Sequence, residues 1–268
     1  MHQIINWCAK GSRKTGAKFI EDTLAIAEVA QAIEIHYNYP QDRNFDNELN
    51  FLKKLSQEKG IKYAVHAPYL NNGLNDFNEK IRQATLEEMF ASIDRAEFLG
   101  AQVVTIHPPF EPYGLKFPER ISLEHDSYSQ IAKYATKKEI KIGLENEAKT
   151  CFFFPDRACL FLEIKKIIES IDSEFFGYTL DFGHGNISGI NLKEAIELAG
   201  SKLFHIHAHD NLGTKDPKID PHLPPGNGNI NWKIILNTLQ NIKYNQYFEI
   251  ESSLENFTKG KDYLTSLK

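Results

Sequence analysis

The sequence has little cysteine, and its cysteines are far apart. Three are present among 268 residues, at Cys8, Cys151 and Cys159, with no Cys-x-x-Cys pair. An odd number of widely spaced cysteines favours neither a disulfide framework nor a zinc site built from thiolates. We therefore expect a protein of a reducing compartment, the cytoplasm, whose chemistry depends on other side chains.

Long apolar runs are also missing. No segment approaches the roughly twenty consecutive apolar residues that cross a bilayer. The first residues, MHQIINWCAKGSRK, lack the apolar stretch of a secretory signal peptide. The sequence thus predicts neither a membrane span nor export, while hydrophobic residues still make up 41% of the chain and suffice for a large core.

The chain has no excess of positive charge. Its 31 Lys and Arg residues and 36 Asp and Glu residues give a net charge of -5. A protein that holds nucleic acid by its phosphates carries basic patches, and the candidates for such a patch are few: Arg13, Lys14, Lys18 and Arg43. The composition therefore disfavours a nucleic-acid substrate.

A unit of strand, loop and helix recurs about every thirty to forty residues. Eight strand candidates follow one another: 4–7 and 32–36, then segments that end at His66, His107, Glu145, Asp181, His207 and Glu251. Helical spacing predicts helices near 19–30, 46–59, 122–138, 157–170, 192–199 and 232–241, and another that ends at Leu99. Parallel strands need helical crossovers, so we predict an α/β fold, a single (β/α)8 TIM-barrel domain over residues 1–268.

The alternative architecture is an open, doubly wound sheet. No Gly-x-Gly-x-x-Gly stretch opens a helix, as it does in a dinucleotide-binding sheet of that kind. An open sheet would also spread the side chains at its strand ends along an edge, whereas a barrel gathers them at one mouth. The last six strand candidates end in histidines and carboxylates, which can form one site only if they come together, so these residues favour the barrel.

Six successive strand candidates, from the third to the eighth, end in residues that can bind a metal ion. They are His66, His107, Glu145, Asp181, His207 and Glu251. One histidine at a strand end is more often structural, but six such residues around one barrel axis form a plausible site. Nitrogen and carboxylate ligands without sulfur suit zinc best, in one to three ions, and also manganese, cobalt or magnesium.

The segment Leu203–Trp232 carries the highest density of these residues. Read as a strand, its beginning places His205, His207 and His209 on one face. Imidazoles on a buried face need acceptors, water or a metal ion, because an unsatisfied polar group in an interior is costly. A metal ion is the simplest explanation for this face.

Two local motifs add further candidates. Asp181-Phe-Gly-His184 places a carboxylate and an imidazole three residues apart after a strand, and Asp220-Pro-His222 follows in a later loop. Each has an ordinary alternative interpretation, a helix cap for the first and a turn for the second. Taken with the strand ends, both motifs favour metal binding.

Seven motifs together resemble a known family. They are VHAPYLNN at Val65, TIHPP at Thr105, GLENE at Gly143, LDFGH at Leu180, HAHDN at His207, DPHLPPGNGNINW at Asp220 and EIES at Glu249. In this order they resemble the xylose-isomerase-like TIM-barrel superfamily, over residues 32–252. That superfamily includes sugar phosphate isomerases and epimerases and the endonuclease IV type of apurinic endonuclease.

The resemblance implies roles for individual residues. One metal ion would be bound by His66, His107 and Glu145, a second by Glu145, Asp181, His207 and Glu251, and a third by His184, Asp220 and His222. Glu145 and Glu251 would transfer the proton. His205 and His209 would contact the ligands or the substrate, and Tyr69 and Asn72 would bind the substrate.

Departures from the endonuclease pattern favour sugar chemistry. Endonuclease IV proteins have an arginine where this chain has Pro221, and they continue the bridging glutamate as ENTAG, where this chain has ENEAK. The tail HLPPGNGNINW is closer to an uncharacterised sugar-phosphate-isomerase branch.

We therefore expect isomerisation or epimerisation of a small sugar or sugar phosphate through a metal-stabilised enediolate. Lys215 or Lys218 is a candidate to receive the phosphate. The alternatives are an endonuclease IV-like zinc phosphodiesterase that cleaves DNA at abasic sites, and a non-catalytic metal-binding barrel, which would need a plugged mouth.

Overall fold

A closed barrel of eight parallel strands forms the centre of the molecule. The structure is a computed structural model that describes residues 5–37, 45–109, 117–149, 156–213 and 220–267. The strands are β1 (Asn6–Lys10), β2 (Ala32–His36), β3 (Lys62–His66), β4 (Val103–Ile106), β5 (Lys141–Glu145), β6 (Phe176–Asp181), β7 (Leu203–Ala208) and β8 (Tyr247–Ile250). Each strand pairs in parallel with the next, and β8 returns to β1. The predicted TIM barrel is confirmed, and the open sheet is wrong.

Helices connect the strands and follow the last one. They are α1 (Gly16–Ala27), α2 (Phe45–Lys59), α3 (Glu79–Leu99), α4 (Pro118–Lys138), α5 (Asp156–Cys159), α6 (Phe161–Ile171), α7 (Phe182–Ile187), α8 (Leu192–Ala199), α9 (Trp232–Asn241) and α10 (Leu254–Ser266). The Asn78 side chain caps α3 by accepting from the backbone N–H of Lys80, and Gly100 ends this helix at a φ of 70°. No helix in the described ranges has the length and apolar character needed to cross a membrane.

Some boundaries differ from those predicted from the sequence. The first strand runs over Asn6–Lys10 rather than 4–7, because it pairs with β8 from Asn6 and with β2 from Cys8. α4 begins at Pro118 rather than near 122, since a proline in the first turn loses no helical hydrogen bond. Neither α7 nor α10 was predicted.

Side chains on the outer face of the barrel form the main core with the helices. The following side chains are almost completely buried: Ile33, Ile35, Val65, Ile142, Leu144 and Ile206 of the strands, and Phe19, Leu52, Ile93, Ile131 and Trp232 of the helices. Full burial of one such aliphatic or aromatic side chain contributes roughly 1.5–3 kcal/mol. This layer holds the barrel closed, which allows its interior to carry polar residues.

The interior is polar towards the C-terminal ends of the strands. Alternation along β2 turns Glu34 and His36 inward, and His36 pairs in register with His66 of β3. On the other side of the barrel, register places Asp181 of β6 beside His207 of β7. Residues that are far apart in sequence are therefore neighbours on one inward surface.

Candidate metal centre

An open cleft of about 940 Å³ lies at the C-terminal ends of the strands. Active sites of TIM barrels lie at this end. The described lining combines imidazoles and carboxylates with two cations: it includes His66, His107, Glu145, Glu147, His184, His222 and Glu251, together with Lys10 and Arg13. Six of the nine predicted metal ligands line the cleft, and all nine fall into three sets of closely spaced side chains.

Glu145, at the end of β5, lies between two histidines. Its Oε2 is 2.9 Å from Nε2 of His107 and 3.5 Å from Nε2 of His66, and the two nitrogens are 3.1 Å apart. Around a tetrahedral zinc ion with bonds of about 2.0–2.1 Å, ligand atoms are separated by roughly 3.3 Å. These three atoms therefore have the spacing of ligands around one ion.

The second predicted set shares Glu145 with the first. The other carboxylate oxygen of Glu145, Oε1, lies 3.0 Å from Nδ1 of His207, and that nitrogen is 3.8 Å from Oε2 of Glu251. Asp181 completes the set, since one possible ligand atom from each of the four residues lies within 4.8 Å of the others. All four side chains are buried.

The third predicted set combines α7 with the loop before α9. Nε2 of His184 is 3.3 Å and Nε2 of His222 is 3.2 Å from Oδ2 of Asp220. His209 joins this set: its Nδ1 is 3.4 Å from Oδ1 of Asp220, and its ring stacks on that of His222 with centroids 3.8 Å apart. The structure thus adds one imidazole to the three side chains that the family resemblance grouped.

The predicted substrate contacts lie in different environments. Tyr69 lines the cleft and stacks on the ring of His107, with centroids 4.8 Å apart. Asn72 is buried, and its amide donates to the backbone oxygen of His107 at 2.8 Å, so it supports the end of β4. His209 is fully buried with Nε2 3.0 Å from Oδ1 of Asp181. Three basic candidates lie outside the described residues: Lys215 and Lys218, which were expected to receive a phosphate, and Arg43, a candidate to contact nucleic acid.

The two glutamates of a deeper polar layer were not predicted from the sequence, although His205 was expected to contact the ligands or the substrate. Glu34 is fully buried, with Oε1 3.3 Å from Nε2 of His205 and Oε2 3.1 Å from Nε2 of His207. Glu249 is 3.4 Å from the same nitrogen of His205. The available signal was the alternation of strand 32–36, which turns its glutamate towards the barrel axis.

Two charged residues of the cleft were also missed. Glu147 places Oε1 2.5 Å from Nδ1 of His107. Lys10, the last residue of β1, forms an ion pair with Glu251, and 17% of its side chain is exposed. Because the first strand was predicted to end at Trp7, Lys10 was assigned to the following loop.

The imidazoles and carboxylates of the site determine each other's charge, because they are packed together. Burial disfavours the charged form of His107, but the carboxylates of Glu147 and Glu145 raise its pKa to about 10. Burial would raise the pKa of Glu145, yet His207 and His107 hold it well below its usual value. These imidazoles therefore carry protons that a metal ion would displace on binding.

α7 positions His184 because Asp181 caps this helix. The Asp181 carboxylate accepts a hydrogen bond from the backbone N–H of His184 at 2.7 Å. A Cβ on Gly183 would lie 1.9 Å from the ring of His209, so a side chain at this position has no space. The Asp-Phe-Gly-His motif is thus a helix cap and a pair of candidate ligands at once.

Asp210 holds the loop that carries the third set. Its carboxylate accepts hydrogen bonds from the backbone N–H groups of Gly226 and Ile230 and from the indole of Trp232, at 3.0, 3.2 and 2.8 Å. A Cβ on Gly228 would lie 2.2 Å from this carboxylate. The glycine-rich turn before Trp232 therefore serves close packing around Asp210.

The donor set fits a divalent metal ion. Oε2 of Glu145 is buried and makes no well-aligned hydrogen bond within the described part of the chain, and a buried carboxylate oxygen needs compensation. Imidazole nitrogens and carboxylate oxygens are ligands of zinc, and carboxylates also suit manganese and magnesium. The ligand atoms of each predicted set are close enough to share an ion.

The molecule is thus a closed (β/α)8 barrel, and the histidines and carboxylates at its strand ends form a candidate metal site. The model of the xylose isomerase-like TIM barrel family matches residues 12–268, and the chain belongs to this family. Among curated relatives, it is 30% identical over 237 residues to the uncharacterised protein MJ1311 of Methanocaldococcus jannaschii, across 85% of this chain and 75% of that protein. It is 26% identical over 200 residues to a probable endonuclease 4 of Thermoplasma acidophilum, across 71% of this chain and 67% of that protein.

Solved structures share the barrel closely. A D-tagatose 3-epimerase-like protein superposes with a TM-score of 0.87 and 27% identity, over 98% of this chain and 97% of that one. The IolI protein with a bound zinc atom superposes with a TM-score of 0.78 and 19% identity, over 98% of both chains. At the latter identity, the likeness shows the fold alone.

Proposed function

We propose that this protein is a metal-dependent isomerase or epimerase that acts on a small sugar or sugar phosphate. The observation that carries the proposal is the position of Glu145 and Glu251 in the cleft, on the two sides of one imidazole. Nδ1 of His207 is 3.0 Å from a carboxylate oxygen of the first and 3.8 Å from one of the second. Family membership and the likeness to the epimerase-like protein support this chemistry.

Two carboxylates are what proton transfer at a carbon beside a carbonyl requires. One removes the proton as a base, and the other, which must first take up a proton from water, gives a proton back from its own side of the site as an acid. Return to the opposite face of the same carbon gives an epimer, whereas return to the neighbouring carbon gives an isomer. The chemistry that a bound divalent ion supplies is positive charge beside the substrate oxygens, which stabilises the enediolate between the two transfers.

Lys10 assists by keeping Glu251 ionised. Burial would raise the pKa of Glu251, but the ammonium of Lys10 and then His222 hold it well below its usual value. Glu251 is therefore a carboxylate, the form that can accept a proton. The cleft, at about 940 Å³, has the size of a small-molecule site.

The second candidate function is hydrolysis of a phosphodiester at an abasic site in DNA. The observation that favours it is the assembly of His184, Asp220 and His222 as a third candidate metal set, together with the similarity to a probable endonuclease 4. Against it, the described cleft lining contributes only Lys10 and Arg13 as lysine or arginine cations. A protein that binds DNA needs several phosphate contacts, so we prefer the sugar.

The test is exchange of a substrate C–H with deuterated water, followed by NMR over a panel of ketoses, aldoses and their phosphates. We expect exchange with metal-replete protein, and a rate at least about 100-fold lower for Glu145→Gln and for Glu251→Gln in folded protein, because an acid or base group contributes roughly 10²–10⁴-fold. The control is Glu255→Gln, whose exposed carboxylate pairs with Lys259 on the surface of α10. This variant should keep the wild-type rate.

No exchange with any sugar, together with salt-sensitive cleavage of an abasic duplex, would replace the isomerase by the endonuclease. A steep fall of rate with salt is expected for that activity, because phosphate contacts release counterions. His222→Ala distinguishes the two further. It should reduce DNA cleavage as strongly as His207→Ala does, but should reduce sugar exchange less.

A further inference from the structure

We propose that Glu147 and Glu34 are positioning residues that orient the two imidazoles on either side of Glu145. The proposal rests on the metal centre of the proposed function. It goes beyond that centre, because it assigns a role to two residues outside the three predicted ligand sets and states which nitrogen of each histidine binds the ion. The side chains form one continuous row: Glu147, His107, Glu145, His207, Glu34.

The first half of the row fixes His107. Nδ1 of this ring is 2.5 Å from Oε1 of Glu147, while Nε2 is 2.9 Å from Oε2 of Glu145 and 3.1 Å from Nε2 of His66. Glu147 is 4% exposed, and a carboxylate is rarely so buried unless it is paired. Tyr69 stacks on the same ring, so the imidazole is held at its edge and on one face.

The second half of the row fixes His207, with the roles of its two ring nitrogens exchanged relative to those of His107. Here Nε2 is the nitrogen that faces the outer carboxylate, 3.1 Å from Oε2 of Glu34, and Nδ1 faces Glu145 at 3.0 Å. Glu34 is fully buried and contacts His205 through its other oxygen at 3.3 Å. The outer carboxylate is therefore itself held in place.

Within the described residues, Nδ1 of His207 is hydrogen-bonded to Oε1 of Glu145, whereas Nε2 of His207 is close to Oε2 of Glu34 without an aligned hydrogen bond. A metal ion that takes the nitrogen facing Glu145 displaces the proton there, so the proton left on each ring lies on the nitrogen that faces the outer carboxylate. The proton of His107 then lies on Nδ1 and its ligand atom is Nε2. The proton of His207 lies on Nε2 and its ligand atom is Nδ1. The two histidines bind through different nitrogens because their outer carboxylates lie on different sides.

The experiment uses zinc-loaded wild-type protein and does not depend on any substrate. Long-range ¹H–¹⁵N NMR spectra of the histidine rings show which nitrogen keeps its proton. We expect the proton on Nδ1 for His107 and on Nε2 for His207. The same protonated nitrogen in both rings, or the reverse assignment, would overturn the proposal even if the variants below failed to fold.

Zinc affinity, measured by competition with a chelator, tests the two carboxylates separately. We expect Glu147→Gln and Glu34→Gln each to weaken zinc binding by roughly 10- to 100-fold, as loss of an outer partner of a ligating histidine does. The matched control is Glu124→Gln, because Glu124 is also buried but its carboxylate pairs with Arg157 rather than with an imidazole. Its affinity should remain within about 3-fold of the wild type.

A zinc affinity equal to that of the wild type in Glu147→Gln and in Glu34→Gln would contradict the proposal. Because neither readout uses a sugar, the outcomes separate from those of the proposed function. Zinc binding with the expected ring protons but no sugar exchange would overturn the function alone. Sugar exchange with unaltered zinc affinity in Glu147→Gln and Glu34→Gln would overturn the positioning role alone.

Discussion

Glu145 is the residue that joins the parts of the candidate centre, because each of its carboxylate oxygens meets a different imidazole. Oε2 lies next to His107 and Oε1 next to His207. His107 directly follows β4 and His207 lies in β7, so a single side chain links two sides of the barrel mouth. This bridging position explains why Glu145 belongs to two of the candidate metal sets.

Glu249, one layer deeper, gives a prediction about pH. Burial and then the charge of Glu34 raise its pKa to about 8, whereas a glutamate in an unfolded chain titrates near 4.3. Between these values the folded protein keeps a proton that the unfolded chain releases, so the contribution of this group to stability falls as pH rises. Glu249→Gln cannot ionise and should lose this part of the pH dependence.

The measurement is urea unfolding of chelator-treated protein at several pH values between about 5 and 8. We expect the free energy of unfolding to decrease less across this range in Glu249→Gln than in the wild type. Glu58→Gln, on the exposed face of α2, should follow the wild-type curve. Parallel curves for Glu249→Gln and the wild type would show that Glu249 is ionised in the folded protein.

Residues at strand ends could be recognised from the sequence, and residues that act through them could not. His66, Asp181 and His207 end clear strand patterns, and parallel strands of a barrel end at one mouth. Glu147 lies two residues beyond its strand, where the sequence does not fix the direction of a side chain. Glu34 lies within a strand, and its partner was knowable only from the register and rotamers of the folded barrel.

At the scale of elements, the segment between β7 and α9 is organised by Asp210. Its carboxylate holds three donors from the loop and from Trp232, and its backbone pairs with Leu223, next to His222. Asp220 and His222 are therefore fixed by a loop that is itself tied to the end of β7. The loop is part of the site although Asp210 contacts no candidate ligand directly through its carboxylate in the described residues.

Asp210→Ala should consequently lower stability and loosen the third candidate set. The change leaves buried N–H groups without acceptors, and we expect a loss on the order of 2–4 kcal/mol in the free energy of unfolding. Asp262→Ala, at an exposed position of α10, should stay within about 0.5 kcal/mol of the wild type. Chemical denaturation of both variants checks this, and an equal stability of the two would show that the loop does not depend on Asp210.

The helices that were not predicted are those with weak local signals. α7 has the sequence FGHGNI, with two glycines in six residues, and it begins because Asp181 caps it. α10 contains Gly260, whose Cβ would lie 2.6 Å from Pro225, and it is held by burial of Phe257 and Leu264. Tertiary packing, rather than helix propensity, accounts for both.

At the scale of the whole molecule, the recurrence of strand and helix predicted the barrel correctly. Parallel strands with helical crossovers bury both faces of their sheet, and eight such units close on themselves. The grouping of ligand residues followed from this closure. The pairing of each imidazole with a particular carboxylate did not, because it depends on side-chain directions inside the closed barrel.

The barrel separates the tasks of stability and chemistry. Its outer face, packed against the helices, is apolar, whereas the inward surface near the strand ends carries at least seven buried histidine and glutamate side chains: Glu34, His36, His66, Glu145, His205, His207 and Glu249. Such a concentration of ionisable groups costs stability unless the groups are paired or neutralised. A bound divalent ion would provide that neutralisation.

The metal content of the purified protein tests the central claim most directly. After dialysis, elemental analysis should find at least about one divalent ion per chain, with zinc the first candidate, and zinc added to chelator-treated protein should raise the Tm, because a ligand that binds only the folded state stabilises it by about 2.7 kcal/mol at 100 times its Kd. His207→Ala should lose this gain, and His125→Ala, an exposed histidine of α4, should keep it. Less than about 0.2 ion per chain, with no gain in thermal stability from zinc or manganese, would contradict a metal centre at the mouth of this barrel.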